Sequence, residues 1–210
     1  MLYSDLTTEA LPEVPGCPDI TIERAIRDAV IEFCDSTLCY TVDQDPVSIY
    51  AGLSEVDLEL PSGTRLVQFI RGQIGREQLE RKSRDDLFAT ETDWQTMTGR
   101  PSVITYASET SVRLVPIADK ALTEQLYIRF AVTPTRASTA VADAIGERYF
   151  KEFTHGAKAM LLQMPGQPWS NPQLSVVYRM MFERDMREAK LTVSQDSVAG
   201  TKRFRIPRSV

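Results

Sequence analysis

The chain is predicted to be α+β, with a three-helix lobe built from both chain ends and an antiparallel β-sandwich or small barrel inserted between them. Three observations in the sequence predict it. Apolar residues recur at three- and four-residue steps over roughly residues 19–40 and again after Pro134, the spacing of a helix with one buried face. Between Thr41 and Thr135 the segments turn short and β-branched, divided by Pro, Gly, Asp and Ser, as consecutive strands are. With 210 residues, 42% of them hydrophobic and 25% charged, the chain can fill one large core or two modest ones.

The leader MLYSDLTTEALPEVPG, with Pro12, Pro15, Gly16 and then Pro18, is predicted to be an extended arm, because proline withholds the amide that a helix interior needs. The first helix opens near Asp19, whose carboxylate can cap free amides, and runs to about Tyr40. Ile22, Ala25, Ile26, Ala29, Val30 and Phe33 form its apolar stripe, with Arg24, Arg27, Asp28, Glu32 and Asp35 on the other side.

The strands are expected in VSIYAGL, VDLEL, TRLVQFIRGQI, SVITYA, SVRLVPI and QLYIRFAV. Alternation is clearest where Val56, Leu58 and Leu60 stand against Asp57 and Glu59, and where Leu126, Ile128 and Phe130 stand against Tyr127 and Arg129. ERKSRDDLFATETDWQT reads as a loop with a helical turn.

Past Pro134, Val141, Ala144, Ile145, Tyr149, Phe153, Ala157, Met160 and Leu161 share one helical face, and Gly156 would let another helix approach closely. Pro165 and Gly166 end this second helix. Asn171 and Pro172 start a third as cap and first residue. Leu174, Val177, Tyr178, Met181, Phe182 and Ala189 form its stripe, with Glu183 and Arg187 spaced to pair outside. The tail GTKRFRIPRSV carries four cations around Phe204 and Ile206. The expected division is therefore 1–40 with 135–198 as the helical lobe, 41–134 as the β lobe, and 199–210 as an extended basic arm.

Function classes fall away one by one. The sequence has no phosphate loop of the GxxxxGK[ST] or GxGxxG kind and no GxSxG elbow. His155, the single histidine, lies mid-helix and reads as a surface or packing residue. Cys17, Cys34 and Cys39 form neither a metal knuckle nor a CxxC pair, and Cys34 sits in an apolar string; no metal or cofactor is expected. Asp85, Asp86, Glu91 and Asp93 make the densest carboxylate cluster, and Arg81, Lys82 and Arg84 beside them explain it by mutual neutralisation. Trp94 and Trp169 read as lids on core ends. No apolar run approaches the roughly 18–20 residues of a membrane helix, and nothing at the start marks secretion, so a reducing interior is expected.

Net charge is −5 and unevenly spread. Residues 1–60 hold thirteen acids against Arg24 and Arg27 alone, while residues 200–210 hold four cations and no acid. Such ends suit oppositely charged neighbours, whereas the chain lacks the basic, aromatic-interleaved face that nucleic-acid binding requires.

Several pieces, CPDITIERAIRDAVIEFCDST, DWQTMTGRPSVITY, SVRLVPIAD with LYIRFAVTPT, and ERYFKEFTHGAKAMLLQMPGQPWSNPQLSVVYRMMFERDMREAK, together resemble the head-to-tail adaptor (connector, tail accessory factor) family of tailed bacteriophages. The resemblance covers nearly the whole chain. It implies a non-enzymatic structural protein of the virion, made in the host bacterial cytoplasm. It also implies a ring of usually twelve copies below the portal protein, extending the DNA channel and offering a platform to the tail or next connector protein. Double-stranded DNA would pass without specific binding. The arm residues Lys202, Arg203, Phe204, Arg205, Ile206 and Arg208 occupy the position of the family's portal-docking segment, and Glu23, Asp28, Glu32 and Asp35 are candidates for acids lining the channel. The rival reading is a carbohydrate- or peptide-binding module with Trp94, Tyr106 and Tyr127 as its platform. An enzyme using the Asp85–Asp93 cluster is a third.

Overall fold

A computed structural model describes residues 1–90 and 93–197. The described chain divides into two compact units, Met1–Cys39 with the described residues from Asp143 on, and Tyr40–Ala142. Among the described residues the molecule is α+β, with six α-helices and three sheets, none closed into a barrel.

The leader is not an extended arm. Tyr3–Ala10 forms helix α1, and a 3₁₀ turn follows over Leu11–Glu13. The prolines begin only at residue 12, after two helical turns, and Pro12 sits in the first turn of the 3₁₀ segment, where a missing amide costs little. Tyr3, Leu6, Ala10 and Val14 are buried at helical spacing, and Asp5 accepts a hydrogen bond from the Leu2 amide at 3.0 Å. The apolar stripe outweighs the acidic composition.

Helix α2, Asp19–Thr37, buries the stripe expected of it. Its N-cap is Pro18 and Asp19 makes no capping bond, so the acid's contribution is limited to the helix dipole. The helix stops three residues short of Tyr40. Thr37 donates its hydroxyl to the Phe33 carbonyl at 2.7 Å, and Leu38 turns left-handed, φ 57°.

The β unit holds β1 (Thr41–Asp43), β2 (Val47–Ser48), β3 (Glu55–Asp57), β4 (Thr64–Ile74), β5 (Glu77–Gln78), β6 (Glu80–Arg81), helix α3 (Arg84–Thr90), β7 (Thr98–Gly99), β8 (Val103–Tyr106), β9 (Ser111–Val115), β10 (Ile117–Ala118) and β11 (Gln125–Pro134). One sheet runs β1-β11-β4-β5 with β2 also on β11; a second runs β3-β9-β8-β6; β10 and β7 pair alone. Two pairings, β6 with β8 and β10 with β7, are parallel, contrary to the wholly antiparallel expectation. Closure into a barrel fails because the edge strands β3, β5 and β6 are two or three residues long, too short to ladder with one another. Phe69, Ile128 and Phe130 from the first sheet and Ile104, Val112 and Leu114 from the second share one core.

The second predicted helix is two: α4 (Asp143–Arg148) and α5 (Phe150–Leu162). The break is Tyr149, at φ −118° and ψ 29°, whose buried ring lies 4.9 Å from that of Phe33. Helix α6, Pro172–Ser197, starts as expected, with the Asn171 side chain accepting the Leu174 amide at 3.2 Å. Phe33 of α2 meets Phe153 of α5 edge-on at 5.3 Å and Phe182 of α6 at 5.9 Å; each such aromatic pair is worth about 0.5–1.5 kcal/mol beyond its area. Gly156 permits that meeting. A Cβ built there would stand 2.9 Å from the Ala29 Cβ and 2.8 Å from the Phe182 ring.

Candidate assembly surfaces

An α-helix turns 100° per residue, which separates the four predicted channel acids. Asp28, Glu32 and Asp35 share an arc about 60° wide, while Glu23 lies at least 120° from it. Asp28 is exposed and the other three are half-buried. Glu32 is held by Arg179 of α6 at 2.7 Å, and Arg179 also grips Glu183 at 2.9 Å while lying 5.7 Å over the Phe182 ring. The clamp joins α2 to α6. Glu183 thus pairs backward to Arg179, four residues earlier, and not with Arg187 as its spacing suggested.

Helix α6 is apolar on two sides. Ser175, Phe182, Asp185 and Ala189 face inward and are buried. On the opposite side Val176, Met180 and Leu191 are 59%, 64% and 62% exposed, within about 60° of one another and along about 22 Å of helix. Val177, placed on the inward stripe by its spacing, is also exposed. Val176 and Met180 are one turn apart, and Arg184 and Arg187 stand on the same side between Met180 and Leu191.

Beneath the surface lies a polar cluster that the sequence reading missed. Lys158 is buried on α5 and pairs with Glu13 of the leader at 3.2 Å. The same carboxylate oxygen accepts the Tyr178 hydroxyl of α6 at 3.0 Å, and the Lys158 ammonium lies 5.4 Å over the Tyr178 ring. Burial and the Glu13 carboxylate push the Tyr178 phenol above its ordinary pKa. Next to it, His155 Nδ1 contacts the buried Asp185 at 2.8 Å, and Arg184 donates to Asp185 at 3.0 Å. The single histidine is therefore a packing residue with a partner. A detectable signal existed: Lys158 stands between two alanines in the apolar run GAKAML.

Several described side chains of the rival readings are occupied in holding the fold. Trp94 is 2% exposed, packed with Leu87, Val103 and Val115, covered edge-on by Phe88 at 5.4 Å and by the Arg113 guanidinium at 5.5 Å. It is a lid, and no platform. Tyr106 is tied down because its hydroxyl accepts the Phe69 amide at 2.7 Å, while Arg81 donates to the Phe69 carbonyl at 2.9 Å; these side chains satisfy the β4 edge beyond the short β5. Tyr127 alone of the three is free of such duties. Among the carboxylates, Asp86 caps α3, accepting the Ser83 hydroxyl at 2.7 Å and amide at 3.2 Å, which holds it below the ordinary carboxylate range. Arg84 spends its hydrogen bonds on the carbonyls of Tyr106 and Ala107 and Lys82 pairs with Glu80, so capping by Ser83 comes first for Asp86, with the charge of Lys82 adding to it. Glu91 lies outside the described residues. Among those described, no group of His, Cys, Asp and Glu could hold a metal ion, no helix is long and apolar enough to cross a membrane, and all three cysteines are free thiols.

The predicted docking residues Lys202, Arg203, Phe204, Arg205, Ile206 and Arg208 lie outside the described residues. In comparison with known proteins, the family model described as SU10 adaptor protein matches residues 1–205. No curated protein matches the chain.

Proposed function

Since the chain belongs to the SU10 adaptor protein family, we propose that it forms a ring below the portal, extends the DNA channel and gives the tail or next connector its attachment platform. Membership supports a phage adaptor role, a place in the virion and a protein without catalysis. The observation that carries the proposal is the family match over residues 1–205, which leaves almost none of the chain for another purpose.

The surfaces agree with it. A ring closes through two different faces per subunit, and the outer row of Val176, Met180 and Leu191 gives one subunit an apolar face for its neighbour. Twelve copies are the number proposed. The arc of Asp28, Glu32 and Asp35, with Glu23 farther round the helix, is proposed to line the channel, where acidic walls repel phosphates and let DNA pass without specific binding. Phe204 and Ile206 are proposed to enter an apolar groove of the portal while Lys202, Arg203, Arg205 and Arg208 meet acidic rim residues, the pairing of buried anchors with charged surroundings that makes interfaces strong. Mixing the chain with purified portal protein and resolving the products by size-exclusion chromatography with light scattering tests the reading. Co-elution with a multiple of adaptor copies is the expected result. Separate elution at every ratio would overturn it.

A further inference from the structure

The outer face of the β1-β11-β4 sheet carries an unusual register. Arg129 of β11 stands directly opposite Arg71 of β4, and like charges in directly opposed positions of an antiparallel pair destabilise it. Asp43 of β1 stands opposite Arg129 on its other flank and accepts two hydrogen bonds from it, at 2.5 and 2.6 Å. That carboxylate is taken up by Arg129 alone. Arg71 is left with the neutral Gln73 oxygen at 2.8 Å. In the next row Tyr127, 47% exposed, faces Gln73. These residues, with the backbone at Gly75, line a recess of about 440 Å³.

We infer that this recess is a binding site for a carboxylate side chain on an acidic loop of a protein partner, with Arg71 as its principal donor and Tyr127 as the wall for the side-chain stem. The recess already contains the complex it is suited to make, since Asp43 on Arg129 is a planar carboxylate held by two parallel bonds from one guanidinium. Arg71 offers the same fork one strand over. Planarity and single charge favour a carboxylate over a phosphate group, because Asp43 in the same recess would repel a doubly charged anion more strongly. A nucleic-acid strand is disfavoured by the surroundings, where Arg100 is engaged by Glu77 and Glu124. Arg and Tyr beside each other are also the residue types that concentrate binding energy at protein interfaces. This inference stands apart from ring formation, since it concerns a face of the β unit alone.

The test is an NMR titration of the full ¹⁵N-labelled chain with an acetylated hexaglutamate peptide, with hexaglutamine and inorganic phosphate as comparison probes. Hexaglutamate is expected to shift the amides of Arg71, Gln73, Tyr127 and Arg129, and hexaglutamine to leave them unmoved. Arg71→Gln should weaken binding about tenfold or more, the worth of a charge-assisted hydrogen bond. Asp43→Ala should act in the opposite sense and tighten it several-fold by releasing Arg129. A merely structural role would make both variants bind worse, which separates the two explanations. Absence of shifts in the recess, equal weakening by both variants, or tighter binding of phosphate than of peptide would each overturn the inference.

Discussion

Gly156→Ala is the substitution whose outcome follows most directly from the helix packing. Alanine is the better helix former by about 1 kcal/mol, so on propensity alone the change should stabilise α5. The new Cβ, however, would stand 2.9 Å from the Ala29 Cβ and 2.8 Å from the Phe182 ring, whereas carbon atoms rest at about 3.5–4.0 Å. Ala29 is on the buried stripe of α2, and Phe182 is 0% exposed, so neither can swing aside. Relief requires α2 and α5 to separate by roughly half an ångström or more, and overpacking of this sort costs about 1–3 kcal/mol. Set against the propensity gain, the net loss should be up to about 2 kcal/mol, or a fall of a few degrees in melting temperature at about 2–4 °C per kcal/mol for a chain of this size. Far-UV circular dichroism through a thermal ramp measures it. Ala29→Gly in the same background removes one of the two clashes, and the pair should couple favourably by about 0.5–1 kcal/mol. A Gly156→Ala variant that melts clearly above the parent, showing the propensity gain with no packing cost, would refute the close approach of these helices.

Four further outcomes are expected. Lys158→Ala removes the buried cation from Glu13 and should cost about 2 kcal/mol, less than the full loss of a buried pair because the Glu13 side chain is 28% exposed; urea unfolding together with glutamyl-endopeptidase cleavage after Glu9 and Glu13 reads both the loss and the loosened leader. The Asp43 carboxyl is held below its ordinary range by the Arg129 hydrogen bonds, so its stabilisation is present above the unfolded carboxylate's value of about 4 and disappears as pH falls through the lower folded value. Both side chains are well exposed, 44% and 65%, which limits the effect to about 0.5–1 kcal/mol. Asp43→Asn should flatten the acid limb of the urea midpoint by that amount, and an unchanged limb would count against the pair. Reversing Glu23, Asp28, Glu32 and Asp35 to lysine should impair DNA retention or ejection in assembled particles, and normal infectivity would argue against a channel position. Truncation after Ala199 should leave the fold intact while abolishing portal binding, measured by co-sedimentation; undiminished binding would refute docking by the arm.

Where one period dominated a segment, the sequence was sufficient. The α2 stripe, the alternation of Leu126, Ile128 and Phe130, the Asn171 cap and the room left by Gly156 are local properties of spacing and residue type. The misreadings have a common physical origin in tertiary contacts. Pro12 and Pro15 spoke louder than the short stripe of Tyr3, Leu6 and Ala10, because proline is visible in isolation and burial against other helices is not. Tyr149 interrupts a smooth helical period where its ring is buried against Phe33. Val177 fits the inward stripe of α6 by spacing, yet 26 residues of helix leave part of that stripe uncovered. The surfaces were the least legible. Glu32 reads as a solvent-facing acid until Arg179, far along the chain, is seen gripping it, and the opposed Arg71 and Arg129 emerge only once the β4–β11 register and its bulges are known.

The claim on which the functional reading depends is that this chain works by contacts with copies of itself and with other virion proteins. Averaged electron-microscope images of the protein mixed with its purified portal test that most directly. A ring of adaptor density coaxial with the portal and enclosing an open channel is the result expected, with twelve-fold symmetry as the proposed count. Images showing bare portals beside single adaptor subunits, at concentrations where both are in excess, would contradict it.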